Sequence, residues 1–229
     1  MRGYKTIQEL AFEAIRDRIL SGRLRPGQPI RQDALARELG TSRMPVREAL
    51  RRLTEMGLVR FHPHRGAEVM HLDSATVEDL FITRAALEGT AARLAAGRLG
   101  RGDLAALRAL LEQMDRAVAR HAFTAYIRLN DRFHQHLNRA CPLETLTATI
   151  DTVRNRCALI LRSGFNLPER LAQSQKEHWE IFEACRRGDA GTAERAMREH
   201  ILRTAMVLMR RFGRGPTGEQ SMILTELLG

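Results

Sequence analysis

The sequence predicts a mainly α-helical protein in two parts, an N-terminal winged helix-turn-helix followed by an antiparallel all-helical bundle. Apolar residues recur at helical spacing through most of the 229 residues. A Gly-Thr-Ser turn at 40–42 joins two short helices just ahead of a compact basic hairpin. Beyond residue 72, only short Gly, Pro or polar turns interrupt a series of long amphipathic stretches. With 44% hydrophobic and 28% charged residues, the chain can bury a core and is not disordered by composition. No uncharged apolar run of about 18 residues occurs, which argues against a membrane span. The N-terminal residues lack a signal-type hydrophobic stretch. Cys141, Cys157 and Cys185 lie far apart with no CxxC pair. Neither a disulfide framework nor a zinc ribbon is expected, and a cytoplasmic location fits.

In chain order, Ile7, Leu10, Ala11, Ala14, Ile15 and Ile19 mark a first helix that stops at Ser21-Gly22. Arg25 to Pro29 reads as a turn, because proline fixes φ and glycine permits positive φ. A short helix over 31–39 carries Leu35, Ala36 and Leu39 on one face and ends at Gly40. Thr41-Ser42 offers an N-cap for a helix over about 43–56, with Pro45 tolerated in its first turn. Leu58 to Phe61 and Ala67 to Met70 flank a basic turn and read as a hairpin. Asp73 or Ser74 then caps a long helix to about 97, and further helices follow over about 102–120, 123–139, 143–162, 168–187 and 190–212. These readings divide the chain into an N-terminal winged domain over 1–72, a helical domain over 73–213, and a flexible tail over 214–229. The tail ends in an apolar patch from Met222 to Leu228.

The formal net charge is +10, and 35 of the 37 basic residues are arginine, a bias that genome composition alone can produce. Its distribution is more informative. Residues 1–72 carry 14 basic against 8 acidic residues, and the remaining chain carries 23 against 19. The more cationic part is the one expected to face a polyanion. In the helix over 43–56, Val46, Leu50 and Leu53 share the inward face, while Arg43, Arg47 and Arg51 form a ridge at i, i+4 and i+8 on the opposite side. Such a helix fits the DNA major groove, where an arginine fork can donate to guanine O6 and N7. Thr41 and Ser42, at the helix N-terminus, can hold phosphate. His62, His64 and Arg65 around Gly66 suit a wing tip at the minor groove or backbone. The bland alternative is a solvated arginine face.

Several runs in this region resemble the GntR family of bacterial transcription regulators. They are Gly22-Arg-Leu-Arg-Pro-Gly27, Leu35-Ala-Arg-Glu-Leu-Gly-Thr-Ser-Arg43, Pro45-Val-Arg-Glu-Ala-Leu-Arg-Arg-Leu53, Gly57-Leu-Val59 and Arg65-Gly66. The resemblance implies that Ser42, Arg43 and Arg47 contact DNA and that Gly66 shapes the wing. It also implies a further basic contact in the first short helix, for which Arg31 is the nearest candidate.

Three of the eight histidines sit on apolar helix faces. His134 lies with Ile127, Asn130 and Leu137, His178 with Leu171, Ile181, Phe182 and Cys185, and His200 with Met197, Ile201, Thr204 and Leu208. Three helices that each turn one imidazole into a core form a plausible metal site, and Asn130, one turn before His134, can add a carbonyl oxygen. The alternative is three ordinary buried histidines. Neutral imidazole suits zinc, nickel or manganese, so the donor set does not choose the metal. Arg84 lies one turn before Glu88 near the inward face of its helix, where it should pair with Glu88 or with a bound anion. Any one of Arg154, Asn155 and Arg156 could also point inward.

The runs Glu78-Asp-Leu-Phe-Ile-Thr-Arg84, Leu87-Glu88, Asn130-Asp-Arg-Phe-His134, Glu177-His178, Gly188-Asp189 and Met197-Arg-Glu-His200 resemble the FCD effector domain of the FadR-like branch of that family. The resemblance implies a metal site of Asn130, His134, His178 and His200, completed by an effector's carboxylate. The first ligand in that family is often Asp, and Asn removes one negative charge. The expected protein is thus a dimeric repressor that binds a palindromic double-stranded DNA operator and responds to a small organic acid. Its rivals are an architectural DNA binder without an effector and a metal-dependent hydrolase or lyase in the helical domain. Against catalysis, Glu177 and Glu199 adjoin His178 and His200 in sequence and so point about 100° away from them.

Overall fold

The computed structural model describes residues 6–62, 66–70, 74–162, 168–211 and 226–227. The chain divides into two compact units, Met1–Leu72 with Asn155–Gly164, and Asp73–Arg154 with Phe165–Gly229.

In the first unit, α1 (Ile7–Leu20) begins at Thr6 in a capping box: the Glu9 N–H donates to Thr6 Oγ1 (3.2 Å) and the Thr6 N–H to Glu9 Oε2 (2.8 Å). Its face of Ala11, Phe12, Ile15 and Ile19 is buried, and it packs on α3 (Arg43–Glu55), whose Val46, Ala49, Leu50 and Leu53 are buried in turn. Between them lies α2 (Gln32–Glu38). Gly40 ends the α2 turn at φ +63° and Gly57 closes α3 at φ +67°, backbone conformations that a Cβ disfavours.

The wing is a three-stranded antiparallel sheet in the order β1-β3-β2, formed by β1 (Pro29–Ile30), β2 (Val59–His62) and β3 (Gly66–Val69). Val59 pairs with Val69 and His62 with Gly66, while Ile30 pairs with Ala67. The first strand corrects the sequence reading, in which Pro29 belonged only to a turn. Two residues are too few to show an alternating pattern, and what makes them a strand is the free edge of β3.

In the second unit, α4 (Ser74–Ala95), α5 (Arg101–Ala119), α6 (Phe123–Arg139), most of α7 (Glu144–Arg162), α8 (Pro168–Arg186) and α9 (Ala190–Arg211) form the helical bundle. α4 lies along α9, α5 against α6 and α8, and α8 against α9. α4 and α9 approach closely at Gly89, where a Cβ would stand 2.5 Å from Arg198 Cγ. Along α6, Tyr126, Ile127, Asn130, Phe133, His134, Leu137 and Asn138 form one buried stripe at helical spacing. The helix ends agree with the sequence reading to within two residues. No described helix is long and apolar enough to cross a membrane. Of the expected tail, all but Glu226 and Leu227 lies outside the described residues, as do Asp73 and Arg65.

Leu50 is fully buried between α1 and α3. Leu50→Ala should cost about 2–5 kcal/mol of unfolding free energy, read from denaturant titration followed by circular dichroism.

Candidate functional site

His134 on α6, His178 on α8 and His200 on α9 converge in the bundle, each with no more than 4% of its surface exposed. One ligand atom from each lies within 4.8 Å of the others. The Nε2 atoms of His134 and His178 are 3.3 Å apart. Two nitrogens on one tetrahedral zinc, each about 2.0–2.1 Å from it, are separated by about 3.3–3.4 Å. The spacing therefore fits a shared cation.

Each imidazole is held by its other nitrogen. His134 Nδ1 donates to Glu88 Oε2 at 2.7 Å, and His200 Nδ1 donates to Glu177 Oε2 at 2.8 Å. His178 Nδ1 lies 3.4 Å from the Tyr126 hydroxyl, which donates to Ser174 Oγ at 3.0 Å. An ionised carboxylate only accepts hydrogen bonds, so it fixes the proton on Nδ1 and leaves the Nε2 lone pair free for a ligand. Asn130 is buried one turn before His134 on the same helix. This donor set, neutral nitrogens backed by carboxylates, is chemically suited to a divalent transition metal.

The two carboxylates are themselves held by arginine. Arg84 Nε donates to Glu88 Oε1 at 2.5 Å, and Arg154 Nη1 bridges both Glu88 oxygens at 3.1 and 3.3 Å. Arg154 also reaches Asp131 Oδ1 at 2.7 Å, and Asn138 donates to Glu88 Oε2 at 3.3 Å. Arg170 forks onto Glu177 at 2.9 and 2.7 Å and caps the His200 carbonyl and Thr204 Oγ1. The sequence thus located the three histidines and the Arg84–Glu88 pair, and the structure selects Arg154 as the buried arginine of α7.

Arg170, Tyr126 and the role of Glu177 escaped the sequence reading. Glu177 does point away from His178, but toward His200 on the neighbouring helix. One signal was available: Arg170, Ser174, Glu177 and His178 recur at i, i+4, i+7 and i+8, a polar stripe on an otherwise apolar face. His136 faces elsewhere, with Nε2 3.2 Å from Asp103.

Burial pushes the His134 imidazole down to about 3 against the pull of Glu88. It also holds His178 well below the ordinary imidazole range, with the other two histidines adding to the effect. His200 is lowered by burial, against the hydrogen bond that it donates to Glu177. Burial alone would raise Glu88, but Arg84, Arg154 and His134 hold it well below the carboxylate range. Glu177, opposed in the same way by burial, is brought to about 2 by His200 and Arg170.

These imidazoles bind protons first in the unfolded chain, so metal-free protein should lose stability as pH falls below about 6.5, by up to about 1.4 kcal/mol per pH unit for each. The depressed carboxylates add the same sign below about 4.5. Melting curves of chelator-treated protein between pH 7 and 5 check this, and a flat profile would contradict neutral imidazoles. Glu88→Gln removes the buried charge that Arg84, Arg154 and His134 share, leaving Arg154 its pair with Asp131, and should cost about 3–5 kcal/mol in a denaturant titration.

In the first unit, the expected DNA-contacting residues lie on and around α3. Arg47 is exposed and makes no ion pair among the described residues. Arg43 pairs with Asp33, and Arg51 pairs with Glu48 and Glu55, both at 3.2 Å. These pairs are solvent-exposed and worth little, so a phosphate or base edge can displace them. Ser42 is the N-cap residue of α3 but its hydroxyl makes no capping bond, and Thr41 is half-buried beside it. Arg31 is the exposed N-cap residue of α2, and Gly66 opens β3 at φ +83°.

Residues 7–69 match the family described as "Bacterial regulatory proteins, gntR family", and residues 79–203 match the FCD domain. The chain is 31% identical over 202 residues to the HTH-type transcriptional repressor RspR of Escherichia coli K12, covering 85% of this chain and 86% of that one. It is 33% identical over 190 residues to a probable D-xylose utilization operon transcriptional repressor of Paenarthrobacter nicotinovorans, covering 80% of each. Among solved structures, E. coli McbR/YncC shares the fold at a TM-score of 0.78 and 22% identity, covering 91% of this chain and 100% of that one. The arginine-bearing helix beside a β-wing, the histidine bundle and these matches together mean that the chain belongs to the GntR family, with an FCD domain, and is a transcription regulator rather than an enzyme.

Proposed function

We propose that this regulator is a dimeric repressor whose hold on a palindromic operator is set by a small carboxylate effector at a metal site in the helical unit. The observation that carries the reading is the convergence of three buried imidazoles with every Nδ1 engaged and the Nε2 side turned inward. His134, His178 and His200, with Asn130, would hold the metal, for which zinc, nickel and manganese are all chemically suitable. When bound, the metal supplies a Lewis-acidic position for an effector carboxylate. Arg84, one helical turn before Glu88 and paired with it, would meet part of the effector's charge.

DNA reading rests on Arg47, with Arg43, Arg51, Ser42, Thr41, Arg31 and the wing at Arg65 and Gly66 contributing backbone and groove contacts. Residues 1–72 bind one half-site, and residues 73–213 carry the effector and the dimer contact. Dimer symmetry then matches operator symmetry. An effector that prefers the DNA-incompetent arrangement lowers operator affinity by the factor by which DNA lowers effector affinity.

Arg47→Ala should weaken operator binding by about 1–3 kcal/mol and relax base preference at one position per half-site, measured by band shift against a randomised operator library. Unchanged affinity and preference would refute the role of α3. Elemental analysis of untagged protein prepared without chelator should find about one transition metal per chain. A His134→Ala/His178→Ala variant should lose it.

A further inference from the structure

One residue of α3 belongs neither to its buried stripe nor to its arginine ridge. The helix buries Val46, Ala49, Leu50 and Leu53, and with 3.6 residues per turn Met44 stands about 180° from the middle of that stripe. It lies in the first turn, is 54% exposed, and has Arg43, Arg47, Glu48 and Arg51 as its neighbours on the outer face. Water solvates those charges, but it gives a thioether nothing, and lysine or glutamine would serve the helix as well. Single exposed apolar residues are ordinary on protein surfaces. What distinguishes this one is the surface it would meet. Base edges in the major groove carry hydrogen-bonding groups and one apolar group, the C5 methyl of thymine. A reading helix leads into the groove with its N-terminal residues, and side chains lean toward that end.

We propose that Met44 reads a thymine, by packing its thioether against the C5 methyl within two base pairs of the one that Arg47 reads. This rests on the reading of α3 as the DNA-contacting helix and deepens it. Met44 and Arg47 are three residues apart, so their Cβ atoms are about 5–6 Å from one another, the span of one to two base-pair steps. The methionine side chain has three rotatable bonds and a polarizable sulfur, which let it settle on a small apolar target. Cytosine presents no methyl there, so contact with Met44 separates two pyrimidines that an arginine fork, which reads guanine, does not address.

The test uses the duplex that the full chain selects from a randomised library, with binding followed by fluorescence anisotropy at fixed salt. Each thymine is replaced in turn by uracil, which lacks only the methyl. Uracil at one position, within two base pairs of the one whose preference Arg47→Ala relaxes, should weaken binding about fourfold. Met44→Ala, with its fold checked by circular dichroism, should bind the thymine duplex more weakly by at least that factor and ignore uracil at that position. Met44→Leu, which keeps the apolar bulk, should stay sensitive. A selected duplex with no thymine in that window overturns the inference. So does indifference of the natural chain to every uracil, or a uracil effect that survives Met44→Ala. Each of these leaves the arginine reading standing if Arg47→Ala still weakens binding and relaxes preference. If Arg47→Ala changes neither, the reading of α3 itself falls, and the role of Met44 with it.

Discussion

A carboxylate placed in a protein interior is tolerated only when opposite charge and hydrogen bonds replace the water it gives up, and the helical unit is organised around two that meet this constraint. Glu88 is fully buried on α4 and ties α6 and α7 to it through His134, Asn138 and Arg154. Glu177 does the same between α8 and α9, with Arg170 closing the fork and His200 as the tied residue. Ion pairs of this kind add less to stability than their Coulomb attraction suggests. What they add here is direction, because each carboxylate fixes both the rotation and the tautomer of one imidazole.

That direction links packing to chemistry. Phe133 packs edge-on against both His134 and His178, with ring centroids at 5.7 and 5.0 Å, so the rings have little freedom to turn away from one another. The result is a set of nitrogen lone pairs aimed at one point in a water-poor environment, with polar partners confined to the opposite ring edge. A donor set held in this way binds a ligand without first reordering its side chains. The arginines of α3 follow the opposite rule: they are exposed, and the ion pairs that Arg43 and Arg51 make lie in solvent, where they contribute little.

How far the sequence could be read varied with the range of the interaction. Helix positions were legible because Ile15, Leu50 or Leu137 repeat with the period of the element that buries them. The three histidines stood out because a polar residue on an apolar stripe breaks its own pattern. Arg84 and Glu88 were readable as partners one turn apart on one helix. The first strand was not, since Pro29-Ile30 is extended only because β3 offers it hydrogen bonds. The role of Glu177 was missed for a similar reason. Its angle from His178 excludes a bond within the helix, while its partner His200 is 23 residues away on α9.

By itself, the sequence determined the order and faces of the helices, the arginine ridge of α3, the family to which the chain belongs and the three imidazoles that face a common core. These follow from periodicity and local motif, which depend on residues within a few turns. Only the tertiary structure decided which carboxylate holds which histidine, that Arg154 rather than its neighbours is buried against Glu88, and that Arg170 completes the Glu177 fork. Each of those contacts joins helices separated by a loop or brings together residues two turns apart. A side chain's rotation about its helix axis states where it points, but not what another helix has placed there.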